Sequence, residues 1–324
     1  MIDVRRLAVL REVARLGSFN RAAGELGLTP SAVSQQMSAL ERTVGTAVVT
    51  RSTRGVHLTP AGRILVEAAE SISAELGHAG RELERLSATR TQHLVVSTFT
   101  SGGQGLLPDA LLRFTADRPD VEFTVLENEP EESLPLVRSG QADLALAYHF
   151  DGPPPVVPGE RSGLVWTPLL DDPMMIVLPA RHPLAARGRL SIAELADERW
   201  VHGCLSMGEL LDRYAGLAGY RPLVACRGTD YTFAQSLVRA GVGISMIPRI
   251  AVGADRTGLA VVPLDQPCPT RWIGAVTALR RRPHPLPQAL LDALRRTAAD
   301  VQDRHAARAT RARPRPRRWL TTGS

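Results

Sequence analysis

The 324-residue sequence predicts an α/β protein in three parts: an N-terminal winged helix-turn-helix, a long linker helix, and a C-terminal two-lobed α/β body. Three patterns carry this. Three short helical periodicities, the first two stopped by Gly17 and Gly27, fill residues 4–43. An apolar seam at heptad spacing then runs from Leu65 to Leu86 with no proline between. Beyond residue 91, strand-like and helix-like runs alternate on both sides of the Pro-rich stretch Asp151-Gly-Pro-Pro-Pro155.

The first helix takes its inner face from Val4, Leu7, Leu10, Val13 and Ala14 and ends at Gly17. Ser18 and Asn20 both qualify as caps for a second helix over 21–26, which Gly27 stops. Thr29 caps a third, with Pro30 at its first position, where a missing N–H costs nothing. That helix runs over 30–43, with Ala32, Val33, Met37 and Leu40 inside and Ser31, Ser34, Gln35 and Ser38 outside. A helix entering the major groove needs short hydroxyls for phosphates and planar amides for base edges, and this face carries no acid before Glu41. Strands at 48–50 and 56–58 make a hairpin wing carrying Arg51 and Arg54, placed to reach the DNA backbone or minor groove. The expected DNA contacts are Thr29, Pro30, Ser31, Ser34, Gln35, Gln36, Arg51 and Arg54.

The run Gly17-Ser-Phe-Asn-Arg-Ala-Ala23, then Leu26-Gly-Leu-Thr-Pro-Ser-Ala-Val-Ser-Gln-Gln-Met-Ser-Ala-Leu-Glu41, Gly45, Arg51 and Leu58-Thr-Pro-Ala-Gly62 resembles the LysR-type transcriptional regulators, densely across residues 1–65. Two positions depart from the family pattern. Val48-Val49 replaces the usual Leu-Phe pair, reshaping the wing's apolar anchor, and Gln36 stands where the family often has Arg, removing one charged contact.

The linker helix starts at Thr59-Pro60, and its seam is Leu65, Ala69, Ile72, Leu76, Ala79, Leu83 and Leu86. Gly77 and Gly80 each cost about 1 kcal/mol of helix propensity, so packing must hold it. A wing leading directly into the helix leaves little in its own chain to pack on, which favours a dimer seam; the resemblance implies the same. The parts expected are 1–58, 59–88, 91–303 and an Arg-rich disordered tail over 304–324.

The body begins with a βαβαβ series, hence a largely parallel sheet, and a second series follows to Val262. Leu107-Pro108, Glu127, the run 137–146, His182-Pro-Leu-Ala185 and Gly241-Val-Gly-Ile244 with Pro248 resemble the family's effector domain. That domain is similar to periplasmic solute-binding proteins and holds a small-molecule effector between two lobes. The resemblance places lobe one at 91–163 plus 268–303 and lobe two at 164–267. Ligands of open α/β sheets sit beyond the carboxyl ends of strands. Candidates there are Thr98, Thr100, Ser101 and Gly102, then Glu127 and Asn128, then His202 and Cys204, then Tyr231 and Thr232. Hydroxyls and glycines before a helix suit an anion, which points to an acidic effector, although ordinary capping is the plainer use of such residues. A lone His202 is more often structural, and Glu129, Glu131 and Glu132 read as partners of a helix start.

Charge and composition exclude other classes. All 39 basic residues are arginine, which removes the usual phosphate-binding loop and Schiff-base catalysis and is most simply codon composition. Residues 1–90 carry 12 Arg against 9 acids, 91–303 carry 20 against 24, and 304–324 carry seven Arg and no acid. Basic ends on an acidic body suit an anionic polymer at one end. Three cysteines are too scattered for a disulfide framework or zinc site. One family branch senses peroxide with two nearby cysteines in lobe two; here Cys226 is the next after Cys204, so no such pair is expected. No Gly-x-Ser-x-Gly, His-Glu-x-x-His or dinucleotide motif occurs, so no catalytic residue, metal or cofactor is expected. No run is apolar enough to cross a bilayer or drive export, so a cytoplasmic location is expected. A transporter's solute-binding subunit is the alternative, but it would need export and has no use for the head. The expected partners are operator double-stranded DNA, a small-molecule effector and further copies of the chain, dimeric through the linker helix with a tetramer expected. RNA polymerase stays open as another, and no membrane partner is expected.

Overall fold

The computed structural model describes residues 2–52, 55–87, 92–150, 163–203, 207–279 and 284–311. The head comprises α1 (Val4–Leu16), α2 (Phe19–Leu26), α3 (Pro30–Val44), β1 (Val49–Ser52) and β2 (Gly55–Leu58), the last two an antiparallel hairpin. Gly17, Gly27 and Gly45 close the helices in the left-handed conformation, at φ 60°, 63° and 78°. Ser18, not Asn20, caps the second helix, which therefore starts at Phe19. Val48 lies outside the ladder and is fully buried, and its N–H donates to Glu41 Oε1 at 3.0 Å, tying the end of α3 to the wing.

Helix α4 (Pro60–Ser87) leaves the wing through Thr59, whose hydroxyl donates to the Ala47 carbonyl at 2.8 Å and accepts the Gly62 N–H at 3.0 Å. The crossing is tight: a Cβ on Gly62 would lie 2.0 Å from the Val48 carbonyl oxygen. Leu65 and Ala69 are buried in the head's core with Leu10 and Val13 of α1. The expectation that the seam finds little in its own chain therefore fails for its first half, because α1 covers it. Leu76 and Leu83 are 63% and 64% exposed.

The body holds β3 (His93–Thr98), α5 (Thr100–Gly105), α6 (Leu107–Asp117), β4 (Glu122–Glu127), α7 (Pro130–Arg138), β5 (Leu144–His149) and β6 (Leu164–Pro179). Then come β7 (Arg199–His202), α8 (Met207–Leu217), β8 (Leu223–Arg227), α9 (Tyr231–Arg239), β9 (Ser245–Pro248), β10 (Leu259–Pro263), β11 (Thr270–Ala278) and α10 (Pro285–Arg311). β3 pairs in parallel with β4 and β5, and β11 runs antiparallel between β5 and β6. β6 is common to both lobes: 164–173 pair with β11, while 174–179 pair with β9 and β10. The sheets thus divide near Pro173, not at residue 163. Of the body's separate cores, one joins α6 and α10 to lobe one and another gathers Met174, Ile176, Trp200 and Tyr214. The expected helix near Ile192 is a single 3-10 turn, Ile192–Leu195. The last helix passes the expected stop at 301 and reaches Arg311, with Arg304 at 3.7 Å from Asp109; residues 304–311 are therefore helix rather than tail. Residues 312–324 lie outside the described residues. Among the described residues no helix is long and apolar enough to cross a membrane.

Gly62→Ala should destabilise the head by about 1–3 kcal/mol through overpacking against Val48. Gly24→Ala, where an added Cβ meets nothing within 4 Å, should not. Melting of the two variants beside the parent checks this; equal transitions would contradict the crossing geometry.

Candidate nucleic-acid interface and effector cleft

On α3, Val33, Met37 and Leu40 are buried, while Ser31, Gln35 and Ser38 are exposed and Ser34 and Gln36 half-buried. Residues 31, 34, 35 and 38 share one helix face. Thr29 and Pro30 are exposed at the start of α3; the Thr29 hydroxyl accepts the Ala32 N–H at 3.2 Å and lies 2.9 Å from Ser31 Oγ. The one acid near this face, Glu41, is turned to the Val48 N–H. The side chain of Arg51 and the whole of Arg54 lie outside the described residues.

Lobe one places Thr98, Thr100, Ser101 and Gly102 together, but their groups serve the fold more than the expected donor cluster does. Thr98 is buried and donates to the Phe99 carbonyl at 3.1 Å. The Gly103 N–H donates to the same carbonyl at 2.9 Å. Thr100 Oγ1 donates to Glu127 Oε1 at 2.7 Å. Gly102 is glycine because a Cβ there would meet the Phe99 ring at 2.5 Å. Asn128, with its amide oriented to satisfy its neighbours, donates to Glu132 Oε2 and accepts from Ser97 Oγ, so it belongs to lobe one's internal bonding. Of the expected hydroxyls, those of Thr98 and Thr100 are spent within lobe one, and Ser101 is 3% exposed.

Sequence reasoning missed the group Ser101 meets. Arg271 Nη2 donates to Ser101 Oγ at 2.9 Å and to Asp172 Oδ2 at 2.7 Å, and both ionic partners are buried. The guanidinium lies 4.8 Å from the centroids of both Phe99 and Tyr148. Asp172 Oδ1 accepts the Ile250 N–H at 2.8 Å from lobe two. Burial opposes the Arg271 charge, yet Asp172, Tyr231 and Tyr148 more than offset it, and the guanidinium is held above its ordinary pKa. The available signal was the Asp171-Asp172 pair and the single Arg271, the charged residues of two largely apolar strands, 164–179 and 270–278.

In lobe two, His202 ends β7 and is 4% exposed. Its Nδ1 stands 3.2 Å from Arg227 Nη1, and its Nε2 is buried without a hydrogen-bond partner among the described residues. Burial first, then the Arg227 charge, hold the His202 pKa below its ordinary value, with Asp212 opposing. Tyr231 opens α9 with its ring against Gly203, and Thr232 is exposed. Cys204 lies outside the described residues. No group of His, Cys, Asp and Glu among the described residues could hold a metal.

Residues 4–63 match the model of the bacterial regulatory helix-turn-helix protein, lysR family, and residues 87–299 that of the LysR substrate binding domain. The chain belongs to the LysR family. This LysR-family regulator is 32% identical to a probable hydrogen peroxide-inducible genes activator of Mycobacterium avium, over 82% of this chain and 84% of that one. It is 31% identical to the HTH-type transcriptional regulator CbbR of Xanthobacter flavus, over 91% and 88%. A Corynebacterium glutamicum OxyR C206 mutant structure shares the fold, with 24% identity, a TM-score of 0.56 and 95% of each chain covered. The chain is thus a DNA-binding transcriptional regulator whose relatives are regulators rather than enzymes.

Because His202 titrates lower when folded than when unfolded, the unfolded chain takes up the proton first below about pH 6.5. Stability of the body should fall as pH drops through that value, and His202→Gln should shrink the loss. Melting between pH 7 and 5 checks it; identical pH dependence in both proteins would contradict a buried neutral imidazole.

Proposed function

We propose that this regulator grips operator DNA through Ser31, Ser34, Gln35 and Gln36 as a homodimer, and that an anionic small molecule between the lobes switches it. The carrying observation is the polar, acid-free stripe of α3, exposed at Ser31, Gln35 and Ser38 and half-buried at Ser34, while Val33, Met37 and Leu40 on the other side are buried. The LysR substrate binding domain match supports an effector in the body. Leu76, 63% exposed on a helix whose earlier seam residues are buried, supports pairing with a second copy along the rest of the seam. Exposed Val125 on edge strand β4 and Leu112 on α6 offer a second face for assembling tetramers. Ser34→Ala and Gln35→Ala should each cost about 1–3 kcal/mol in binding to fragments selected from the genome by the parent protein. Leu76→Asp should lose the dimer, read by light scattering, and DNA binding with it. Unchanged affinity in the first pair, or an unchanged oligomer in the last, refutes the corresponding assignment.

A second reading comes from the peroxide-activator relatives: oxidation at Cys204. Cys226 and Cys268 are free thiols, and burial pushes the Cys268 thiol up, away from the reactive thiolate. Peroxide that changes DNA binding by the parent but not by Cys204→Ser would favour this reading over the small-molecule one.

A further inference from the structure

We infer that Glu70 of the linker helix is a positioning residue for DNA binding: Arg138 of the body holds its carboxylate, and when that partner is lost Glu70 takes Arg11 of the head instead and shifts the recognition helix. The inference concerns where the head sits on the linker, and it needs no effector.

The body meets the linker far back along the helix. α7 reaches α4 at Glu70, and Gly163, just before β6, is so near that a Cβ on it would lie 3.1 Å from Ser71 Oγ. Helix α4 runs on to Ser87, about 25 Å farther at 1.5 Å per residue. The body therefore lies back along its own linker, against the half that carries the head.

Three elements converge at this turn. Arg138 Nε, in the last turn of α7, lies 3.2 Å from Glu70 Oε2, and both side chains are about three-quarters removed from water. Arg11 of α1 donates through Nη1 to Ser73 Oγ at 2.8 Å, one turn farther along α4, and its Nε faces Glu12 at 3.4 Å. Burial pushes the Glu70 carboxyl up, the charges of Arg138 and then Arg11 pull it down, and Glu67 adds a weaker upward push. An arginine from the head and one from the body thus face a single carboxylate, and the body's arginine holds it.

A carboxylate so far removed from water is costly without a cation. A hydrogen bond to an ionised acceptor is also about twice as strong as one to a neutral hydroxyl. When Arg138 withdraws, Arg11 therefore gives up Ser73 for Glu70. Leu7, Leu10 and Val13 of α1 share one core with Val33, Met37 and Leu40 of α3, so a change in how α1 is tied to the linker reaches the recognition helix. The other end of α7 is tied to lobe one. Ser133 Oγ lies 2.8 Å from Ser97 Oγ, and Glu129 Oε2 accepts the Tyr148 hydroxyl at 2.7 Å, the Tyr148 ring facing Arg271. Lobe one sets where α7 stands, and Glu70 reads it.

Affinity of the full chain for DNA fragments selected by the parent tests this. Arg138→Gln should weaken binding about threefold to tenfold, and Arg138→Lys, which keeps the cation, should restore most of the loss. Arg138→Gln should have no further effect once Arg11→Gln or Glu70→Gln is present, because the exchange needs both groups. A plain loss of charge or of stability would add to either variant instead. A second readout omits DNA. Ser73→Ala should speed amide exchange in α1 of the parent but not of Arg138→Gln, where that bond is already given up. Parent-like affinity in Arg138→Gln, additive effects in the double variants, or an equal effect of Ser73→Ala in both backgrounds overturns the inference.

Discussion

One buried ion pair, Arg271 on Asp172, lies where β6 passes from one lobe to the other. Both partners are almost wholly removed from water, at 2% and 1% side-chain exposure. Leaving either alone costs about 3–5 kcal/mol, so the pair is a constraint on the fold more than a source of stability. Its remaining valences are used on both sides. Arg271 reaches Ser101 of α5 in lobe one, and Asp172 reaches the Ile250 N–H in lobe two. Ile250 returns to α5, where a Cβ on Gly105 would sit 2.5 Å from Ile250 Cγ1. Lobe one, the crossing strands and lobe two thus form a closed circuit around the cleft.

A second series of contacts leads from that sheet toward the head. Ser97 at the end of β3 meets Ser133 of α7 at 2.8 Å in the interior. At the other end of α7, Arg138 Nε lies 3.2 Å from Glu70 Oε2 on the linker helix, and Arg11 of α1 donates to Ser73 at 2.8 Å. Burial pushes the Glu70 carboxyl up, with Arg138 and Arg11 opposing it. The linker is therefore held between the DNA-binding head and the effector-binding lobe. An effector changes DNA affinity only as far as it prefers one arrangement of these contacts, and DNA shifts effector affinity by the same factor.

The head was legible in the sequence because its signals are local. Ser18, Thr29, Pro30 and the stop glycines Gly17 and Gly27 act within a few residues of where they stand. The cleft was not, because its chemistry joins residues far apart: Arg271 and Asp172 are 99 positions from one another. Pro168 and Pro173, residues that ordinarily interrupt a ladder, both lie within the 16-residue strand β6. The glycines at 102 and 103 suggested an anion loop; they make room for the Phe99 ring and Thr98 instead. His202 was readable as a candidate, but the arginine it meets, Arg227, arrives from the neighbouring strand.

Native-state hydrogen exchange at the Ile250 amide tests the circuit most directly, using Ser101→Ala, Asp172→Asn and the double variant of the full chain. If Arg271 and Asp172 join the lobes, removing the lobe-one hydroxyl loosens Ile250 in lobe two, and the double variant exchanges no faster than Asp172→Asn alone. If Ser101→Ala leaves Ile250 protected as in the parent, or the two effects simply add, the pair does not couple the lobes and the account fails.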